Sequence, residues 1–186
     1  MQSSVLGNQA ARRAVWIALL TGATIIGSFI FACATPFPAL GALAALHMNR
    51  RDAFALTGVN WTANQLIGYG FLHYPQSAES FAWGAWIGVA AFVATAAAIV
   101  TASFARRRGW ATTAVTAFLV AIVAYESTLY AATAFLPSEP GAFGFQIVQY
   151  IVEVNALAFA GLLILQRIGR STGIAASRET RTAGAG

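Results

Sequence analysis

Every Lys-or-Arg position in this chain is an arginine, and the arginines come in groups that alternate with apolar stretches. Arg12 and Arg13 precede the first stretch. Arg50 and Arg51 separate the second from the third, and Arg106, Arg107 and Arg108 separate the fourth from the fifth. Arg167, Arg170, Arg178 and Arg181 follow the sixth. The connections at 32–36, 73–80 and 137–142 contain no arginine. Short Arg-bearing loops stay on the cytoplasmic side of a bilayer. An odd number of crossings would break the alternation, so the pattern predicts an all-α polytopic membrane protein of six transmembrane helices with both termini cytoplasmic.

Composition makes lipid the required solvent. The 186 residues are 58% hydrophobic and 9% charged, against about 25% charged in soluble domains. A domain of this size cannot hide that much apolar surface from water. The net charge of +5 lies between and beyond the apolar segments rather than on one basic face, which argues against nucleic acid as a partner. Lysine is absent, so the chain has neither a P-loop lysine nor Schiff-base chemistry. Any ATP that powers it is hydrolysed by another chain. The single cysteine, Cys33, has no internal disulfide partner.

The apolar segments fall at 14–31, 37–48, 53–72, 81–104, 110–136 and 143–165. Most are long enough for a ~30 Å hydrocarbon core at ~1.5 Å per residue. The second is not. Led by Pro36 and Pro38, it reads as tilted, partly unwound or sheltered by its neighbours. Trp16, Trp83, Trp86 and Trp110 fall near segment ends, where interfacial rings are favoured. The resulting division is a cytoplasmic N-terminus at 1–13, a membrane domain at 14–168 and a disordered cytoplasmic tail at 169–186. A competing reading makes the first segment a cleaved signal peptide; its length and Phe31 beside the small-residue site disfavour it.

Polar residues inside the spans are the candidate functional groups, because ionisable side chains in a bilayer are costly. Glu126 in the fifth segment and Glu153 in the sixth lie at similar depth, ~15 Å from the outer ends. Gln146, Gln149 and Glu153 share one helix face, as do Asn60 and Asn64; Trp61 and Gln65 accompany the latter pair in the third segment, and Tyr130 lies one turn outward of Glu126 in the fifth. His73 stands at the outer end of the third segment. These residues predict a polar cavity open to the outside; interhelical hydrogen bonding is the competing reading for the amides. Cys33 and His73 are a candidate soft-metal pair, although a lone Cys is also a common apolar filler. Ala14, Ala18 and Gly22 form a small-residue stripe suited to close helix contact. No nucleophile elbow, zinc-protease helix or Gly-rich phosphate loop is present; the chain reads as a non-enzyme with no intrinsic cofactor.

Together these features resemble the substrate-binding subunits of energy-coupling-factor vitamin transporters. The resemblance rests on length, topology, the Ala14-xxx-Ala18 stripe, and the blocks running from Cys33-Ala-Thr-Pro-Phe-Pro and from Asn60-Trp61-Thr-Ala-Asn64-Gln65 to Pro75. It implies vitamin capture from outside the cytoplasmic membrane. It also implies docking of a transmembrane coupling subunit, served by separate ATPases, on Ala14, Ala18 and Gly22. The nearest likeness is to solitary cobalamin-uptake members, which would make Cys33 the ligand of a bound cobalt. An accessory subunit of a larger membrane complex, and a metal or cation carrier using Glu126, Glu153 and His73, are the alternative expectations.

Overall fold

The computed structural model describes residues 2–30 and 35–172. The chain forms six α-helices with no strand among the described residues: α1 (Gln2–Ile30), α2 (Phe37–His47), α3 (Arg50–Gly70), α4 (Ala78–Ala105), α5 (Trp110–Ala132) and α6 (Phe145–Ser171). A 3-10 turn at Arg106–Arg108 joins α4 to α5. Three of the helices, α4 with its 3-10 turn, α5 and α6, are long and apolar enough on their own to cross a membrane. Their outward residues include Phe104, Val123, Leu157 and Ile164, all exposed. So much exposed apolar surface suits lipid rather than water, and the protein is membrane-embedded.

Boundaries shift from those read in the sequence for local reasons. Helix α3 starts at Arg50 because Asn49 caps it: the Asn49 side chain accepts from the Asp52 N–H at 2.9 Å and donates to the Asp52 carboxylate at 2.7 Å. Ser77 likewise caps α4, accepting from the Ser80 N–H at 3.2 Å. Helix α5 ends at Ala132 and the chain turns through Thr133 to Leu136. Helix α1 begins at Gln2, so the segment read as a separate N-terminus is continuous with the first helix. Helix α6 runs through Ser171, which makes the start of the expected tail helical; residues 173–186 lie outside the described residues.

The short α2 is the centre of the bundle. Its residues from Phe37 to Ala45 are all buried, and α3, α4, α5 and α6 pack around it. Small side chains permit this. Ala39, Ala42, Ala44 and Ala45 of α2 sit in one core with Ala90, Ala91, Ala94 and Ala98 of α4 and Ala117 and Ala121 of α5. Gly41 lies so close to α4 that an added Cβ would stand 2.8 Å from the Thr95 hydroxyl oxygen and 3.2 Å from the Thr95 Cα. The Thr57 and Thr95 hydroxyls, 2.8 Å apart, link α3 to α4 in the same region. Helix α1 is peripheral, resting mainly on α3 through buried Trp16, Leu20 and Thr21.

A buried helix start needs every donor in its first turn satisfied. Here the Phe37 N–H donates to the Thr35 carbonyl at 2.8 Å, and Pro38 has no N–H. The Ala39 N–H donates to the Asn155 side-chain carbonyl of α6 at 3.2 Å, and the Leu40 N–H to the Pro36 carbonyl at 3.1 Å. Pro38 thus removes a donor that the core would have to satisfy. Replacing Asn155 by Leu strands the Ala39 N–H in an apolar core. The expected cost is about 1–3 kcal/mol, read as a lower melting temperature of the purified protein in detergent; an unchanged melt would show that this cross-helix cap is dispensable.

Candidate functional site

A cavity of about 390 Å³ opens among the C-terminal ends of α3 and α5, the N-terminal ends of α2 and α4, and the outer part of α6. Among the described residues, this is the arginine-free end of the bundle. Arg50 and Arg51 start α3, Arg106–Arg108 follow α4, and Arg167 and Arg170 lie at the end of α6. On α1, Arg13 approaches Asp52 of α3 at 3.8 Å, so it too belongs to the opposite end.

One wall comes from α3 and the loop that follows. The adjacent Asn64 and Gln65 line the cavity together with Tyr69 one turn further on. The Asn64 side-chain amide donates to the Thr35 hydroxyl at 2.6 Å, and the Gln65 side-chain amide donates to the Asn64 side-chain oxygen at 3.1 Å. Past Gly70 the chain reverses. The Leu72 N–H returns to the Ile67 carbonyl at 3.0 Å and the Tyr74 N–H to the Gly68 carbonyl at 3.0 Å. His73 supplies the reversal with φ of 56°, a left-handed conformation in which His is enriched. The Tyr74 ring then lies on Gly68, where a Cβ would come within 2.6 Å of it, and meets Tyr69 edge-on at 6.0 Å.

The facing wall comes from the start of α4. Tyr69 donates to the Ser80 carbonyl at 2.8 Å, and Trp61 donates to the Gly84 carbonyl at 2.9 Å. Trp83 donates across to the Pro137 carbonyl at 3.0 Å, tying the cavity rim to the α5–α6 connection. Gly84 gives Gln65 room: a Cβ there would stand 2.3 Å from the Gln65 side-chain oxygen. The floor is apolar, made by Phe37, Ile87, Leu129 and Ile151, with Tyr125 tilted against Phe37 at 6.2 Å.

The residues singled out in the sequence are distributed over several places. Asn64 and Gln65 line the cavity. Trp61 braces its wall from behind, packed on Gly88. His73 is exposed on the loop that carries Tyr74. Asn60 is 2% exposed and instead joins α3 to α1, donating to the Thr21 hydroxyl at 3.0 Å. Glu126 is adjacent in sequence to Tyr125 but absent from the lining; both its carboxyl oxygens are buried without a hydrogen-bond partner among the described residues. Tyr130 is exposed and edge-on to Phe143 at 5.5 Å. Gln146 is exposed, and Gln149 donates to Glu153 at 2.8 Å on the exposed face of α6. Ala14 and Ala18 are exposed, and nothing stands within 4 Å of a Cβ added at Gly22. Cys33 lies outside the described residues. Among the described residues, no three His, Cys, Asp or Glu side chains group as a metal site.

Five cavity rings are not among the candidate site residues of the sequence: Phe37, Tyr69, Tyr74, Trp83 and Tyr125. Trp83 reads in the sequence as an interfacial residue, and Tyr74 as part of the outer loop. Tyr69 and Tyr125 carry no signal that separates a cavity-facing ring from a lipid-facing one. Comparison with family models, curated proteins and solved structures gives no match to this chain. Fold and cavity therefore define the class: a membrane-embedded all-α bundle around a short buried helix, with an aromatic- and amide-lined cavity at its arginine-free end.

Proposed function

We propose that the protein is a substrate-capture subunit of the inner membrane that takes up a small vitamin-like molecule from the outer face. The observation that carries this reading is the cavity's position at the arginine-free end, which the positive-inside rule turns away from the cytoplasm. Largely apolar walls with a few convergent polar groups are what small-molecule sites have in common. Substrate enters past Tyr74 and Thr35 and settles against Asn64, Gln65 and the surrounding rings. Release follows from rocking of the bundle against a coupling subunit docked on the open Ala14, Ala18 and Gly22 face of α1, with ATP hydrolysed by separate chains.

The resemblance points to cobalamin with Cys33 on the cobalt. The test is binding of a vitamin panel, hydroxocobalamin included, to the purified chain. A submicromolar ligand whose affinity falls when Trp83 is changed to Ala is the expected result. A panel with no ligand removes the reading. If hydroxocobalamin binds, Cys33→Ala should alter its absorption spectrum, and an unaltered spectrum removes cysteine ligation.

A second reading, an accessory subunit of a larger complex, is favoured by the exposed Gln149–Glu153 pair on α6. Such a polar face is costly against lipid and would be covered by a neighbouring helix. It predicts a stable partner co-purifying from native membranes.

A further inference from the structure

Tyr125 is 8% exposed and lines the cavity, yet its hydroxyl forms no hydrogen bond with any described residue. Unlike the enclosed carboxyl oxygens of the neighbouring Glu126, this hydroxyl is open to the cavity, and a tyrosine hydroxyl held away from bulk water ordinarily finds a partner. A ligand in the cavity would supply one. The rest of the lining narrows what that ligand is.

Phe37, Tyr69, Tyr74, Trp83 and Tyr125 give the cavity aromatic surface on several sides. Such surface suits a flat ring, through stacking, and tolerates positive charge, through cation–π attraction. Among the described residues no Lys, Arg or His lines the cavity, so an anionic group would be desolvated without a counter-charge. Helix N-termini are the other common means of holding an anion, and two of them, those of α2 and α4, border the cavity. The donors of the first turn of α2 are engaged, and in α4 so is that of Ser80, the first-turn residue that lines the cavity. In α2, the Phe37, Ala39 and Leu40 N–H groups already donate to Thr35, Asn155 and Pro36. In α4, the Ser80 and Phe81 N–H groups donate to the side chain and carbonyl of Ser77. Size sets the last limit. About 390 Å³ is near the lower end of the roughly 300–1,000 Å³ typical of drug-sized sites, and a corrinoid with its nucleotide tail is larger than a drug.

We infer that the cavity binds a compact, flat heteroaromatic molecule without negative charge, with a hydrogen-bonding group that reaches the Tyr125 hydroxyl. The inference rests on the reading of this cavity as the capture site and names the chemistry it selects.

The test uses matched probes on the full chain in lipid nanodiscs, read by titration calorimetry: quinoline-3-carboxamide, N-methylquinolinium, quinoline-3-carboxylate and hydroxocobalamin. The carboxamide and the quinolinium bind saturably, and the carboxylate binds at least about tenfold more weakly for want of a counter-charge. Tyr125→Phe weakens the carboxamide about tenfold, the loss of one hydrogen bond. It leaves the quinolinium, which has no such group, unchanged. Equal binding of carboxylate and carboxamide overturns the charge selection, and equal weakening of all probes by Tyr125→Phe overturns the role of the hydroxyl. Hydroxocobalamin binding where no quinoline binds overturns the ligand class and leaves the capture reading standing. Silence from all four probes overturns the ligand class, and only silence from the vitamin panel as well removes the capture reading with it.

Discussion

Gly41→Leu is expected to give no folded protein: in detergent, the monodisperse size-exclusion peak of the parent chain is replaced by aggregate. An added Cβ alone would meet the Thr95 hydroxyl oxygen at 2.8 Å, and behind it the Thr95 backbone, with Cα at 3.2 Å and N at 3.4 Å. A side-chain end can rotate away, but a helix backbone cannot. Helix α2 would have to withdraw from α4, and it has nowhere to go because α3, α5 and α6 surround it. Ordinary overpacking costs about 1–3 kcal/mol. Forcing apart a central helix pair exceeds that and approaches the ~5–15 kcal/mol that typically separates folded from unfolded chains. Gly41→Ala is the graded version, with a lower melting temperature and a folded product. Parent-like elution and melting of Gly41→Leu would mean that α2 and α4 do not pack this closely.

Gly84→Val should do the reverse, keeping the fold and removing binding. Its Cβ would meet the Gln65 side-chain oxygen at 2.3 Å and the Tyr69 hydroxyl at 3.2 Å. Both are far ends of long side chains and both line the cavity. They yield by rotating into the space that a ligand would occupy, while the valine methyl groups fill part of it. Backbone cost is small, since Val in a helix is no worse than Gly. Affinity for the cavity's ligand should fall about 100-fold, equivalent to about 2.7 kcal/mol, with a melting temperature close to the parent's. Unchanged affinity with an unchanged melt would place the binding site elsewhere in the bundle. The two glycines thus separate roles: one is closed against backbone and sustains the fold, and the other is closed against movable side chains and sustains a space.

The helices were legible because membrane constraints act on long runs of residues. Arginine grouping and apolar length locate all six elements, and the brevity of the second segment marks it as needing neighbours. The site was legible only in part. Asn60 and Asn64 do lie one turn apart on one face, but helical periodicity does not say what that face meets. The lower turn meets Thr21 of α1, and the upper turn meets the cavity. Gln146, Gln149 and Glu153 likewise share a face as read, and that face points out of the bundle. Asn155, two residues after Glu153, carries nothing in the sequence that marks it as the side chain that satisfies the start of α2. The aromatic lining was hidden for another reason. In a soluble protein a Tyr or Trp far from water is core. In a membrane chain the same residue can face core, lipid or cavity, and composition does not distinguish them.

The central position of α2 bears on how the chain is made. Helices enter a bilayer in the order of synthesis, and α2 emerges second. The helices that enclose it most, α4 and α5, come later, as does the Asn155 carbonyl that completes its first turn. Until α6 arrives, the Ala39 N–H has no such partner, and a segment too short to span waits beside α1 and α3. The order of insertion and the order of packing therefore differ. This fold closes around its second helix last, so a chain truncated before α6 lacks the part that finishes its beginning.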